Sequence, residues 1–330
     1  MNAFAYTRAT HIEAALHAIQ EGGGSRFLGG GTNLVDLMKE GVETPERLVD
    51  ITRLPLAAIE EHNGGLRIGA LARNSDVANH ALVRERCPLL AQALLSGASP
   101  QLRNMATVGG NLMQRTRCYY FCDVGSPCNK RQPGSGCGAL EGYNRIHAIL
   151  GASSQCVAVH PSDMCVALAA LEAQVEVQGP KGMRTLPLDD FHRLPGDTPS
   201  RDTNLEPDEL IVALVLPPLN LAAHSHYLKV RDRASYAFAL VSVAVALHMD
   251  GGKIQQARLA LGGVAHKPWR SQVAEAVMKG QEPSPALYAR VADAALEGAR
   301  PLRFNGFKVE LARRAIAEAL RSAVEGTAAL

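Results

Sequence analysis

The first part of the chain carries short apolar runs that are separated by glycines and by a helical stretch. Apolar residues at helical spacing predict a helix over 10–20. Three short runs predict strands at 26–28, 47–51 and 66–70. A second helix begins near Thr32, so a strand, a glycine turn and a helix start follow one another directly.

The middle of the chain alternates helical and strand patterns. A helical pattern covers 76–95, but Pro88 removes a backbone donor and must kink or break the helix there. Further on, the pattern predicts a strand over 156–160, a helix that starts at Ser162, and another strand. Residues 210–218 are typical of a buried strand that prolines end.

The last third of the chain has a different pattern. Residues 227–264 alternate with period two around an Asp-Gly-Gly turn at 250–252, which predicts a β-hairpin. Helical patterns follow at 283–297 and 305–324. The change of pattern places a domain boundary near 217–223. Strands and helices together predict an α+β fold.

The composition is that of an ordinary globular protein. Of 330 residues, 47% are hydrophobic and 20% are charged, and the formal net charge is +2. A basic patch for nucleic acid is not apparent, so we expect no nucleic-acid partner. Apolar runs stay below the ~18–20 residues of a membrane span. The first residues lack a signal-peptide pattern, so we expect a cytoplasmic protein or one exported together with a partner.

Two glycine-bearing segments suit a phosphate ligand. They are FLGGGTNL at 27–34 and ATVGGNL at 106–112. Glycines let the backbone approach a ligand closely, and a helix start offers unpaired N–H groups. Neither segment is a GxGxxG fingerprint or a P-loop, and each alone could be a structural turn. Two similar loops in one chain favour a dinucleotide held from both sides.

The cysteines are clustered rather than spread. Four of seven lie within 115–137, and Cys156 follows, whereas Cys87 and Cys165 fall in apolar helical patterns typical of core packing. Clustering on an irregular, glycine- and proline-rich segment favours metal ligation over disulfides. Structural zinc prefers paired short spacings, and Cys118-x3-Cys122 is the one such pair. A [4Fe–4S] cluster tolerates wider spacing, so we favour it over zinc or free thiols.

The ordered motifs FLGGGTNL, ATVGGNL and HPSD resemble those of the FAD-binding flavoprotein subunits of the xanthine dehydrogenase/molybdenum hydroxylase family. The resemblance extends over essentially the whole chain. It implies a two-subdomain FAD-binding region of vanillyl-alcohol-oxidase type, at 1–55 and 56–220, and a C-terminal domain of antiparallel strands and helices at 221–330. The cysteine-rich segment becomes an insertion at about 113–157 in the second subdomain.

The resemblance also implies the residues that bind FAD. They form the first loop, the second loop with two residues upstream, the Ser-Asp pair, an apolar residue beside the flavin ring, and a lysine near the polar edge of the flavin. In this sequence they are Arg26, Phe27, Leu28, Gly29, Gly30, Gly31, Thr32, Asn33, Leu34, Ala98, Leu102, Ala106, Thr107, Gly109, Gly110, Asn111, Ser162, Asp163, Ile211 and Lys229.

The insertion is similar to that of the branch of periplasmic aldehyde oxidoreductases, whose flavoprotein subunit contains a [4Fe–4S] cluster. The same insertion occurs in the flavoprotein subunits of 4-hydroxybenzoyl-CoA reductase, and the resemblance to their cysteine pattern selects Cys118, Cys128, Cys137 and Cys156 as ligands and leaves Cys122 as a reserve. It implies an electron-transfer subunit without catalytic residues of its own. The expected partners are a [2Fe–2S] subunit and a large molybdenum-cofactor subunit, with an external electron acceptor.

Two alternatives to aldehyde oxidation stay open at the level of sequence. One is a flavoprotein subunit of a 4-hydroxybenzoyl-CoA reductase or another molybdenum hydroxylase, with electrons passing in the opposite direction. The other is a metal-stapled binding module without flavin. A bound yellow cofactor distinguishes the flavin-free binding module from the aldehyde oxidoreductase subunit and from the reductase subunit.

Overall fold

The computed structural model describes residues 1–328 and begins with a small parallel sheet. Its strands are β1 (Ala5–Arg8), β2 (Ser25–Leu28) and β3 (Arg47–Asp50), in the order β1-β3-β2. The connections are the helices α1 (Ile12–Gln20) and α2 (Leu34–Lys39). A parallel strand pair needs such a crossover, which is why helix and strand patterns alternate here.

The second sheet is antiparallel, with five strands in the order β4-β5-β8-β6-β7. The strands are β4 (Ile59–His62), β5 (Gly65–Gly69), β6 (Gln174–Gly179), β7 (Gly182–Pro187) and β8 (Leu210–Leu216). The helices between β5 and β8 are α3 (Asn74–Asn79), α4 (Ala81–Arg86), α5 (Pro88–Ser96), α6 (Pro100–Arg103), α7 (Val108–Leu112), α8 (Tyr119–Cys122), α9 (Gly138–Glu141), α10 (Asp163–Ala170) and α11 (Leu188–Phe191). The central strand β8 is buried along almost its whole length.

The third sheet is antiparallel, in the order β12-β11-β10-β9, and α14 packs on β9 and β10. Its strands are β9 (Ser225–Val230), β10 (Val241–Asp250), β11 (Lys253–Gly262) and β12 (Trp269–Arg270), and a 3-10 turn (Ala222–His224) precedes them. The helices are α12 (Gln272–Met278), α13 (Pro285–Ala295) and α14 (Phe307–Glu325). The predicted hairpin is confirmed, since β10 and β11 pair across the turn at 250–252.

Several predicted elements differ from the structure. The helical pattern over 76–95 forms three helices, with one break just before Pro88 and another at His80. The strand predicted over 156–160 is wrong, because that segment is irregular and turns toward the cysteine loop. The short α12 and the edge strand β7 were not predicted. The boundaries at 55 and 220 stay predictions; each falls between two sheets.

The apolar core is divided among the three regions. One cluster joins the five-stranded sheet to α5 and α10, and another fills the space between the third sheet and α12, α13 and α14. Both predicted core cysteines are buried, with Cys87 5% and Cys165 0% exposed. Among residues 1–328, no helix combines the length and the hydropathy needed to cross a bilayer.

Candidate functional site: a flavin cradle beside a cysteine cavity

The two glycine loops lie against each other. A Cβ built on Gly30 would lie 1.9 Å from the carbonyl oxygen of Met105, so the first loop packs on the backbone just before the second. A Cβ on Gly29 would lie 3.0 Å from Oγ1 of Thr107. This contact requires glycine, because no side chain fits between two touching backbones. The loops therefore form one cradle, as a ligand held from both sides requires.

Asn33 gives the cradle an unused donor. Its Oδ1 accepts a hydrogen bond of 2.9 Å from the backbone N–H of Arg115, which fixes the amide orientation. Its Nδ2 is buried and has no hydrogen-bond partner within residues 1–328. A buried amide donor without a partner is costly. A phosphate or ribityl oxygen of FAD would satisfy it, so the residues present fit this cofactor.

The second loop is joined to the Ser-Asp pair. Thr107 Oγ1 accepts from the N–H of Gly110 at 3.2 Å, which caps α7. Ser162 donates its hydroxyl to Asn111 Oδ1 at 2.6 Å and accepts from the N–H of Cys165 at 3.0 Å, which caps α10. The start of α10 thus meets the last turn of α7. The second glycine loop and the Ser-Asp pair, which were predicted to contact one ligand, therefore lie together.

Lys229 lies in a buried ion pair. Its Nζ donates to Asp163 Oδ2 at 2.7 Å and to the carbonyl oxygen of Ser96 at 3.1 Å. The two side chains are 4% and 8% exposed. Tyr227 donates its hydroxyl to the other oxygen of Asp163 at 2.7 Å. The structure therefore links strand β9 of the C-terminal domain to the Ser-Asp pair.

The other predicted FAD residues are spread around the cradle. Phe27–Leu34 are half-buried and open to solvent on one side. Ala98 is exposed and adopts φ +51°, a conformation that non-glycine residues rarely take, and Leu102 is half-buried on α6. Ile211 is 6% exposed and packs in the core cluster of the five-stranded sheet. A cavity lies next to Asp163, and Ile211 does not line it.

That cavity has a volume of about 300 Å³ and lies between the FAD-binding region and the C-terminal domain. Ser162 and Asp163 form one wall, and residues 237–242 form another. Of its lining residues, the sequence had predicted only Ser162 and Asp163 as site residues, and those it missed include Arg117 and Phe238. The guanidinium of Arg117 lies over the Phe238 ring at 5.1 Å. An aromatic–cation pair at the mouth suits a flat ring system, which would lie between the two domains.

The cysteine insertion forms a second, smaller cavity. Four of its five cysteines line it, namely Cys118, Cys128, Cys137 and Cys156. Three of these are buried, at 7%, 8% and 5% exposure for Cys118, Cys128 and Cys156, and Cys137 is half-buried. Cys122 does not line it. The structure thus separates Cys122 from the other four.

A tight turn sets two of these cysteines opposite each other. Cys128 and Cys137 form an antiparallel bridge. The turn between them is closed by backbone bonds from Asn129 to Gly136 at 2.7 Å and from Gly138 to Pro127 at 3.0 Å. Gly136 adopts φ +95°, which favours glycine. The glycines and prolines of the insertion therefore serve to bend it around the cavity.

The sulfur spacing argues against a single zinc ion. With Zn–S bonds of about 2.3 Å, tetrahedral thiolates lie roughly 3.8 Å apart. Within residues 1–328, the one group of three or more His, Cys, Asp or Glu ligand atoms that all lie within 4.8 Å of one another contains none of the four cysteines. Thiolates that bind different irons of a cluster do not need to approach one another as closely.

Burial changes the acidity of two thiols of the cysteine cavity. Burial raises the pKa of Cys118 to about 12 and that of Cys156 to about 11. Phe121, Ala139 and Ala158 supply apolar walls. A metal held by Cys118 and Cys156 would displace the protons of these thiols, and its binding free energy would contribute to ordering the loop.

Two histidines outside the predicted site lie together with Cys165. The rings of His160 and His192 are 4.3 Å apart, and His160 lines the cavity next to Asp163. Nε2 of His192 lies 2.9 Å from the carbonyl of Leu112, so this nitrogen carries the proton. Nδ1 of His160 faces the N–H of Ser162 at 3.4 Å, which leaves the proton on Nε2. These tautomers suit a contact between the two rings better than a metal.

Residues 2–219 match the family model described as the FAD binding domain in molybdopterin dehydrogenase. Residues 226–324 match the CO dehydrogenase flavoprotein C-terminal domain. The chain therefore belongs to the family of FAD-binding subunits of the xanthine dehydrogenase and CO dehydrogenase enzymes, and it is a subunit of an oxidoreductase. The predicted family, the α+β fold and the FAD cofactor are confirmed.

Two relatives and one structure illustrate the similarity. The chain is 53% identical to the aldehyde oxidoreductase FAD-binding subunit PaoB of Escherichia coli, over 98% of this chain and 99% of that protein. It is 30% identical to the glyceraldehyde dehydrogenase medium chain of Sulfolobus acidocaldarius, over 84% and 82%. A structure of carbon monoxide dehydrogenase from Hydrogenophaga pseudoflava matches with TM-score 0.77 and 27% identity, over 98% and 97%.

Proposed function

We propose that this chain is the FAD- and [4Fe–4S]-containing electron-transfer subunit of a molybdenum-dependent aldehyde oxidoreductase. One observation carries the electron-transfer role. In this proposal the flavin ring occupies the cavity next to Asp163, which we call the flavin cavity. Arg117 and Tyr119 line the flavin cavity, whereas the alternate residues Cys118 and Tyr120 line the cysteine cavity. The segment 117–120, which leads into α8, is therefore the wall between the two. This proximity favours electron exchange between them.

A second segment repeats this arrangement. Cys156 and Ala158 line the cysteine cavity, and the next residues, Val159 and His160, line the flavin cavity. The insertion is thus built into the wall of the flavin site. A loop that only stabilised the surface would not need to share two segments with the cofactor cavity.

The chain's own residues hold and shield the flavin. The glycine cradle receives the pyrophosphate, and the Asn33 amide supplies a buried donor. The charge of Asp163 is balanced by Lys229 before any ligand binds. Bound FAD would supply the capacity to take up electrons one at a time and release them to an external acceptor.

Aldehyde oxidation is proposed from the printed name of the 53% identical relative. The substrate would react at molybdenum in a large partner subunit, and a [2Fe–2S] subunit would connect it to this chain. The described residues contain no group that we assign to substrate chemistry. The compartment stays a prediction, either the cytoplasm or export with a partner. Family membership sets aside the flavin-free binding module.

Serine variants of the cysteines test the cluster. In the assembled complex, Cys118→Ser, Cys128→Ser, Cys137→Ser and Cys156→Ser should each lose the [4Fe–4S] signal, because a hydroxyl is a poorer iron ligand than a thiolate. Cys122→Ser is the matched control and should keep it. Iron analysis and low-temperature EPR of the dithionite-reduced complex measure the result.

Two results would contradict the proposal. Wild-type complex that contains only the iron of its [2Fe–2S] clusters would exclude a cluster in this chain. A normal signal in Cys156→Ser together with its loss in Cys122→Ser would show that the ligand set is wrong. In parallel, anaerobic addition of an aldehyde should bleach the flavin in wild-type complex, and failure to do so would reject the substrate class.

A further inference from the structure

His147 lies against one of the cysteine-cavity sulfurs. Its Nε2 is 3.0 Å from Sγ of Cys118, and its side chain is 1% exposed. We propose that His147 is a positioning residue that donates its Nε2–H to the Cys118 thiolate and raises the reduction potential of the cluster. This inference rests on the proposed function, since it requires a cluster bound by Cys118.

The backbone of His147 is fixed by buried polar groups of the C-terminal domain. Its carbonyl oxygen accepts from Asn305 Nδ2 at 3.1 Å and from Lys308 Nζ at 2.9 Å. Both donors are 0% exposed. Its N–H donates to the carbonyl of Asn144 at 3.1 Å. Buried amide and ammonium groups are costly unless they are hydrogen-bonded, so this region holds the residue in one position.

The imidazole ring of His147 makes few other contacts. Its Nδ1 is buried without a hydrogen-bond partner within residues 1–328. The sidechain lines neither cavity. Tyr120 contacts the ring, with centroids 6.3 Å apart, but offers it no polar group there. Sγ of Cys118 is therefore the atom with which the ring makes its hydrogen bond.

A thiolate accepts this hydrogen bond far better than a neutral thiol does, so the contact suits the ligated state. Reduction adds a negative charge to the cluster and its sulfurs. An N–H donor stabilises the reduced form more than the oxidised form, and hydrogen bonds to sulfur are one of the ways proteins raise cluster potentials. Cys156 Sγ has a weaker donor, the backbone N–H of Ala158 at 3.5 Å.

The test is a potentiometric titration of the assembled complex, followed by EPR of the cluster. His147→Leu removes the donor and keeps most of the apolar volume. At the wild-type midpoint potential, the ratio of reduced to oxidised cluster should fall about threefold to tenfold, where tenfold corresponds to about 59 mV for a one-electron couple. His147→Gln keeps an N–H donor and should recover part of this change. His224→Leu, at the far 3-10 turn, is the control and should leave the ratio unchanged.

The outcomes separate this inference from the proposed function. A His147→Leu complex with full iron content and an unchanged potential would overturn the role of His147 and leave the cluster standing. Wild-type complex without the cluster would overturn both. If His147→Leu does not retain the cluster, pulsed EPR of wild type carrying 15N-labelled histidine replaces it. Coupling from a histidine nitrogen that is absent in His147→Gln supports the contact, and no coupling in wild type overturns it.

Discussion

The glycines of the two loops are required for different reasons at the level of the single residue. At Gly30 a Cβ would meet the carbonyl of Met105 at 1.9 Å, so the protein's own backbone excludes a side chain. At Gly110 the one neighbour is the movable Oγ1 of Thr107 at 3.0 Å, and the residue is exposed. A requirement for glycine at 110 therefore points to a ligand rather than to packing.

This difference predicts two distinct phenotypes. Gly30→Ala should lose FAD and also unfold earlier, because the two loops must separate. Gly110→Val should lose most of its FAD at nearly unchanged iron content and with a smaller effect on unfolding. Flavin and iron content of the purified complex, with thermal unfolding, measure both. Gly23→Ala is the control, since no atom lies within 4 Å of its Cβ. Normal flavin content in Gly110→Val would show that pyrophosphate does not approach there.

Residue types in motifs were predictable, but their partners were not. The sequence places Asn33 in a glycine loop, yet nothing in it indicates that Arg115, 82 residues later, fixes the amide. His147 stands in an ordinary segment without a motif, so its contact with Cys118 becomes visible only in the fold. Side chains that act through another residue leave little periodic or local signal.

Elements with a strong period were predicted well. The hairpin of β10 and β11 follows from alternation and an Asp-Gly-Gly turn. The bridge between Cys128 and Cys137 was not predicted as structure. Besides two backbone bonds, it is held by side-chain oxygens of Ser135 and Asn129, which accept from the backbone N–H groups of Cys128 and Gly136. The irregular segment over 156–160 has strand-like composition, but its first part lines the cysteine cavity and its last two residues line the cavity next to Asp163, and it pairs with no strand.

The buried ion pair between Lys229 and Asp163 joins strand β9 to helix α10. Lys229→Met leaves the Asp163 charge buried without its partner, and such a loss costs about 3–5 kcal/mol. Urea unfolding of the purified holoprotein should show this decrease in stability. The double variant with Asp163→Asn should be more stable than Lys229→Met alone. Lys253→Met, on an exposed position of β11, is the control. An unchanged unfolding midpoint in Lys229→Met would show that the pair contributes nothing.

At the scale of the whole molecule, the cysteine insertion connects all three regions. Arg115 at its start pairs with Glu43 of the first region and with Asp202 of the long loop. Ile149 near its end donates to Val264 at 2.9 Å and accepts from the N–H of Arg300 at 2.7 Å, both in the C-terminal domain. An addition at the surface would not need such contacts, so the insertion is part of the domain interface.

Asp202 is the charge on which this interface depends. It pairs with Arg115 at 2.8 Å and with Lys130, whose side chain is 1% exposed, and His266 lies 3.5 Å away. Burial alone would raise the pKa of Asp202, but Lys130 and Arg115 hold it well below its usual range. A carboxyl with a depressed folded pKa stabilises the fold above its ordinary pKa of 3.8, and this contribution is lost as the pH falls below it.

Asp202→Asn should therefore destabilise the holoprotein by about 3 kcal/mol at neutral pH, because Lys130 remains buried without a counter-charge. The difference from wild type should be complete above about pH 5 and shrink as the pH falls below 3.8, since the unfolded wild-type chain then binds a proton at Asp202 while the folded state keeps this carboxyl ionised. Unfolding curves across this pH range measure it, and limited proteolysis should cut the variant first within 113–157. The exposed Asp197→Asn serves as control. A deficit that stays constant with pH would show that packing around residue 202, rather than its charge, holds the insertion against the two domains.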